Sequence, residues 1–193
     1  ARNMTRKRMS TGKALPEIFH NKGLSPKGTV PVLDSKERLL KYKELVTAFS
    51  YPKKEELCLE YDRLFRLSEI WLYGAEYTAE NEFQRVKELS DISGFYRAFG
   101  LQVDRERPDA LSCELAFMHY LIYKELYCLK ENLSKADEKA KICQDGQKKF
   151  FFTHLYPAAQ KIAEALISQG NNFYSNIAKE MLEFLKSEER FLS

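Results

Sequence analysis

The sequence predicts an all-α fold: a single multi-helix bundle over residues 35–193, preceded by a basic N-terminal arm over residues 1–34. Three observations predict it. The composition is that of a chain able to bury a core, with 44% hydrophobic and 31% charged residues in 193. Breakers are few: of 8 Gly and 6 Pro, half lie before residue 53. From Ser35 onward apolar residues recur every three or four positions, with no useful stretch of β-alternation, internal repeat or low-complexity tract.

Residues 1–34 mix basic residues with Gly23, Pro26, Gly28 and Pro31, and at most a short helix over Ala14–His20 fits there. The first helix of the body carries Leu39, Leu40, Leu45, Val46 and Phe49 and stops at Tyr51-Pro52. Pro52 can open a second helix, with Leu57, Tyr61, Leu64 and Phe65 on one stripe. Residues 66–79 are irregular and aromatic, with Trp71, Tyr73 and Tyr77 around Gly74, and read as a surface lip. A helix from Thr78 or Glu80 to Ala98 is expected to turn Phe83, Val86, Leu89 or Ser90, and Ser93 inward, and to stop at Gly100.

After the charged loop Arg105-Glu106-Arg107, Pro108 suits a first helical position and Asp109 a first turn. Leu111, Leu115, Met118, Leu121/Ile122, Leu126 and Leu129 then keep the clearest helical rhythm of the chain. Asn132-Leu133-Ser134 interrupts it, and Ser134 with Asp137 resembles a capping box. A long helix to Ser168, bent near Pro157, and a last one carrying Phe173, Ile177, Met181, Leu182 and Phe184/Leu185 complete the bundle.

Charge is uneven. Residues 1–34 hold seven Lys/Arg against two Asp/Glu, whereas residues 35–193 hold 24 against 26. A nucleic-acid binder concentrates positive charge on its folded body, so no nucleic-acid partner is expected. No run of about 18 apolar residues exists to span a membrane. The basic start lacks the apolar stretch of a signal peptide. Four Cys without a CxxC pair read as core thiols, which agrees with a reducing, cytoplasmic setting.

Motifs for chemistry are missing. The three His stand at no metal-ligand spacing, and neither GxSxG, a P-loop nor GxGxxG occurs, so neither catalytic residues, metal ligands nor cofactors are assigned. Glu114, inside an apolar run, needs a partner: a structural hydrogen bond or a ligand. Trp71, Tyr73 and Tyr77 fit either plain packing or an apolar groove for a partner segment.

Five pieces, in order, carry a resemblance. They are Glu60-Tyr61-Asp62-Arg63-Leu64-Phe65; Phe95-Tyr96-Arg97-Ala98-Phe99-Gly100; Glu106-Arg107-Pro108-Asp109-Ala110-Leu111 with Glu114-Leu115-Ala116-Phe117-Met118; Gln147 to Leu155; and Phe173-Tyr174 with Ile177-Ala178. Together they resemble the TorD/DmsD/NarJ family of redox-enzyme maturation chaperones over about residues 36–190. Ala110 stands where the family often has His, and Tyr156-Pro157 where a Trp often follows His-Leu.

The resemblance implies a non-catalytic cytoplasmic chaperone. Its partner would be the apo catalytic subunit of a molybdenum-containing oxidoreductase, or that subunit's twin-arginine leader, and it would act as a monomer or a segment-swapped dimer. A basic leader with an apolar segment asks for carboxylates beside aromatic walls. Glu106, Asp109 and Glu114 are the expected acids, Trp71, Tyr73, Tyr96 and Phe99 the expected walls, and Pro108 is expected among the leader-binding residues with them. A helical protein–protein adaptor unrelated to such enzymes is the competing expectation. Thr5-Arg6-Lys7-Arg8-Met9 in the arm also loosely resembles a twin-arginine stretch, which suggests a pseudo-substrate.

Overall fold

A computed structural model describes residues 33–131 and 134–193. Among them the elements are α1 (Ser35–Phe49), α2 (Glu55–Phe65), α3 (Ala75–Thr78), α4 (Glu82–Ala98), α5 (Leu111–Lys130), α6 (Ala136–Phe150), a π-helical turn (Phe151–Leu155), α7 (Tyr156–Ile167) and α8 (Phe173–Leu192). The all-α expectation holds. Nearly all of the arm, including the short helix at Ala14–His20, lies outside the described residues, as do Asn132 and Leu133.

α5 is the axis of the bundle. Leu111, Leu115, Phe117, Met118, Leu121 and Ile122 are all fully buried, so most of the circumference of its first three turns is apolar and covered by other helices. α1 and α6 pack along it, and α7 pairs with α8. Tyr96, Phe117 and Phe150 meet edge-on or tilted at its centre, with centroids 4.7–6.0 Å apart.

Three helices, α1, α4 and α8, start on a side-chain cap, and α7 starts with Pro157 in its first turn. α1 starts at Ser35 and Asp34 caps it, accepting from the Lys36 and Glu37 N–H groups, while Glu37 reaches back to the Asp34 N–H. Asn81 and Asn172 cap α4 and α8 in the same way. Pro52 does not open α2, which starts at Glu55 after an uncapped Lys54. Pro108 and Asp109 precede α5, whose N-cap is Ala110. Ser134 and Asp137 form no capping box; Lys135, at φ 60°, leads into α6 without a side-chain cap.

The path from α6 to α7 is continuous. Pro157 has no N–H and its ring presses on the carbonyl four residues back, at Thr153; the π-helical turn just ahead of it is where the ladder changes. His154 on that turn is buried, and burial lowers its pKa, so it is neutral at pH 7. Its Nε2 lies 3.1 Å from the Asp91 carboxylate and ties the turn to α4.

α4 corrects the sequence reading most clearly. Its buried residues are Ile92 and Tyr96, whereas Phe83 and Val86 are 80% and 58% exposed. Leu129, at the end of α5, also faces solvent. Two apolar residues three apart satisfy the helical period but do not say which face the rest of the bundle covers.

The ends of the domain meet through a buried polar network. Arg38 of α1 donates from Nε and Nη2 to the Glu188 carboxylate of α8, at 2.6 and 2.9 Å, and from Nη2 to Gln147 of α6 at 2.9 Å. Tyr42 donates to Glu188, and Gln144 and Gln147 donate to Glu125 of α5. The Phe191 ring covers the guanidinium at 4.0 Å. Arg38 and Glu188 are each 1% exposed, so removing either leaves the other charge buried and unmatched. Arg38→Ala or Glu188→Ala is expected to cost about 3–5 kcal/mol in urea unfolding, and the apolar pair Arg38→Met with Glu188→Leu less than either single change.

Candidate functional site

Where α1 and α2 end, the connector before α3 and the loop before α5 close a cleft of about 730 Å³. Its walls are Phe49, Tyr51, Tyr61, Phe65, Trp71 and Tyr73, with Arg66, Asp104, Arg105, Glu106 and Ser112 also lining it.

The connector is extended here. The Leu111 N–H donates to the Leu72 carbonyl at 2.8 Å and the Gly74 N–H to the Asp109 carbonyl at 2.9 Å, around a single antiparallel bridge between Tyr73 and Ala110. Trp71, 46% exposed, buried Leu72 and half-buried Tyr73 all line the cleft from this segment. Gly74 then lets the chain meet α7: a Cβ there would lie 2.8 Å from the Ala158 Cβ.

The loop before α5 is pinned by Arg107. Its guanidinium makes two bonds to Asp109, at 3.0 and 2.8 Å, a third to Glu76 at 2.7 Å, and stacks on Tyr73 at 4.4 Å. The second Asp109 oxygen also accepts the Ala75 N–H at 3.1 Å. Arg105 takes a left-handed φ of 63°, which costs a non-glycine residue about 1–2 kcal/mol. The turn exposes Asp104, Arg105 and Glu106 in succession. Glu106 Oε1 accepts the Tyr73 hydroxyl at 3.2 Å and the Arg107 N–H at 2.9 Å. Among the described residues no cation stands within ion-pair distance of Asp104 or Glu106; Arg107 is taken by Asp109 and Glu76, and Arg66 by Asp62.

Of the eight residues expected at the site, Trp71, Tyr73 and Glu106 line the cleft. The other five take up packing positions. Tyr96 is 1% exposed, its ring against Phe117 and its hydroxyl donating to the Pro108 carbonyl at 2.7 Å. Phe99 packs on Phe117 and against Gly146, where an added Cβ would lie 2.9 Å from its ring. Pro108 thus anchors its loop to α4. Asp109 is wholly buried and its two oxygens are already engaged.

Glu114 is 1% exposed and its Oε2 has no partner. Burial first, and then the neighbouring Asp109 and Glu88 charges, hold its pKa well above the carboxylate range and favour its protonated form.

Reading the sequence missed Phe49, Tyr51, Arg66, Asp104, Arg105 and Ser112. Tyr61 and Phe65 had been placed on an inner stripe; they are half-buried and belong to both core and cleft. Tyr51 carried the available signal, an aromatic at a helix end with no place on a buried stripe.

No helix among the described residues is long and apolar enough to cross a membrane, and no group of three or more His, Cys, Asp and Glu side chains among them is arranged to hold a metal ion. Burial pushes the Cys113 thiol up to about 12 and Cys143 to about 11, so neither is a nucleophile at neutral pH.

The fold and cleft define a helical module with an aromatic, acid-edged groove. Its family follows from comparison: the nitrate reductase delta subunit model matches residues 34–164, and the chain belongs to that family, the one the sequence motifs resemble. A perchlorate reductase assembly chaperone protein of Dechloromonas aromatica (strain RCB) is 32% identical over 114 residues, covering 51% of this chain and 49% of that relative. The chain thus spans about half the length of the curated relative it matches.

The buried acids separate structural from binding roles. Asp109→Ala is expected to lower unfolding free energy by about 2–3 kcal/mol, because it frees Arg107, about a third exposed, and orphans the Ala75 N–H. For Glu114 the sign is opposite to that of a salt-bridged acid. Above about pH 4.3 the unfolded chain releases this proton while the native state keeps it, so stability falls as pH rises toward the raised native pKa. Glu114→Gln should remove that decline, so that its stability advantage over the parent, measured by urea unfolding, grows from pH 4 to pH 8.

Proposed function

We propose that this chain is a non-catalytic cytoplasmic chaperone for the catalytic subunit of a molybdenum-containing oxidoreductase. It would bind that subunit's leader, or the apo form bearing it, during cofactor insertion and before export or membrane assembly. Family membership and the assembly-chaperone relative support the class of function. The observation that carries the binding mode is the cleft: aromatic walls beside two carboxylates that lack an ion-pair partner among the described residues.

A basic leader supplies guanidinium groups for Asp104 and Glu106 and an apolar stretch for Tyr51, Trp71 and Tyr73. Glu106 is already oriented by Tyr73 and the Arg107 N–H, which reduces the ordering needed on binding. Asp109, Glu114, Pro108, Tyr96 and Phe99 support the loop and its neighbours from within the packing. A client must later be released, so a micromolar affinity, on the order of −8 kcal/mol, fits the task.

Calorimetric titration with leader peptides of molybdoenzymes, against a twin-lysine control, tests this. Saturable binding that the control weakens is expected, together with a loss of up to about fivefold in Glu106→Gln and about tenfold in Trp71→Ala, both at unchanged unfolding free energy. Binding to no leader would reject leader recognition. Binding to unrelated amphipathic helices with equal affinity would favour a general helical adaptor.

A further inference from the structure

We infer that the basic arm of this chain docks in its own cleft and competes there with the client segment. The inference rests on reading the cleft as a peptide site and adds its regulation. Residues 1–13 carry Arg2, Arg6, Lys7, Arg8 and Lys13 and not one acid, flanked by the apolar Met4 and Met9. The cleft offers the matching chemistry. Asp104 and Glu106 have no ion-pair partner among the described residues, and the open face of Trp71 stands beside Tyr51 and Tyr73. Arginine stacking already occurs on this wall, with Arg66 over Tyr51 at 5.0 Å and Arg107 over Tyr73 at 4.4 Å. Methionine adapts readily to aromatic surfaces. Among the described residues no acid is in ion-pair distance of Arg105, which stands in sequence between the two carboxylates.

The connection also has the right length. The arm joins the body at Leu33, packed at the start of α1, and the cleft lies at the other end of α1, at Phe49 and Tyr51. Fifteen helical residues separate the two by about 22 Å. Twenty-four residues lie between Arg8 and Leu33, and a chain of that length at flexible-coil dimensions would have a root-mean-square span of about 25–30 Å. Span and distance agree, which is the condition for an effective concentration near its maximum, of millimolar order. An arm affinity on the order of 0.1 mM would then weaken client binding about tenfold without any permanent block.

The test uses the full chain with Arg2, Arg6, Lys7 and Arg8 all changed to Gln, substitutions outside the helical body. Trp71 is the only tryptophan, so its emission reports on the cleft directly. The variant is expected to show greater acrylamide quenching of Trp71 and leader binding about tenfold tighter than the parent, both independent of protein concentration. Unchanged quenching overturns the inference, whatever the leaders do. Changed quenching with unchanged leader affinity overturns the competition. Quenching that depends on protein concentration assigns the arm to a neighbour's cleft and overturns docking within one chain. Should no leader bind, the proposed function fails on its own; a synthetic peptide of residues 1–13 added to the variant then decides the arm, by restoring the parent's quenching or failing to.

Discussion

A guanidinium with 1% exposure dictates much of this architecture. Arg38 cannot shed its charge, and an unmatched buried charge is among the costliest defects a small domain can carry. It is matched by Glu188, 150 residues away in sequence, and by Gln147, with Tyr42 donating to the same carboxylate. Glu125 is satisfied by Gln144 and Gln147 in turn. The network therefore requires α1, α5, α6 and α8 to be in register together. Such a pair adds little net stability over apolar packing, and its effect is to make other arrangements of these helices costly. α8 lies beyond the segment matched by the family model, yet it supplies the counter-charge for an arginine within that segment.

Fixing α1 has a consequence at its far end. Phe49, Ser50 and Tyr51 form one side of the cleft, so the register set at Arg38 also sets that wall. The opposite side depends on a second charge cluster. Arg107 holds Asp109, Glu76 and the Tyr73 ring at once, and Asp109 receives the Ala75 N–H, so the two irregular segments facing the cleft are joined by bonds rather than by regular structure. Strong charge-assisted bonds placed below the cleft leave weaker, solvent-facing groups at its surface. This division explains why neighbouring acids differ in setting: Asp109 is bonded within the scaffold, burial pushes Glu114 toward its protonated form, and Asp104 and Glu106 stay exposed.

The helices were legible because their apolar residues recur at helical spacing, and α5 most of all, having the longest such run of buried apolar residues. Their starts were less so. Pro52 and Pro108 satisfy the rules for a first helical position, but Asp34, Asn81 and Asn172 show that a side-chain acceptor for orphan N–H groups decides more firmly. The face of α4 could not be read from Phe83 and Val86, since burial depends on which neighbours arrive. The cleft was legible only in part. Trp71, Tyr73 and Glu106 stood out as aromatics and an acid without a place in a stripe. Tyr96, Phe99 and Asp109 looked the same in sequence, and their burial follows from contacts with Phe117, Gly146 and Arg107 that lie along no single helix.

The same physics bears on how tightly such a cleft should hold a segment. Its carboxylates are exposed, so each ion pair formed there would contribute about 0–1 kcal/mol and would weaken with salt. Aromatic walls that are already half covered by Arg66, Arg107 and one another leave modest apolar area to gain. A deep, dry site would bind more strongly but release slowly, since differences in affinity lie mainly in dissociation rate. A shallow groove on a rigid base, with its charged groups orientated but not desolvated, suits repeated capture and release of a basic segment, and it can be tuned by a few charges tethered nearby.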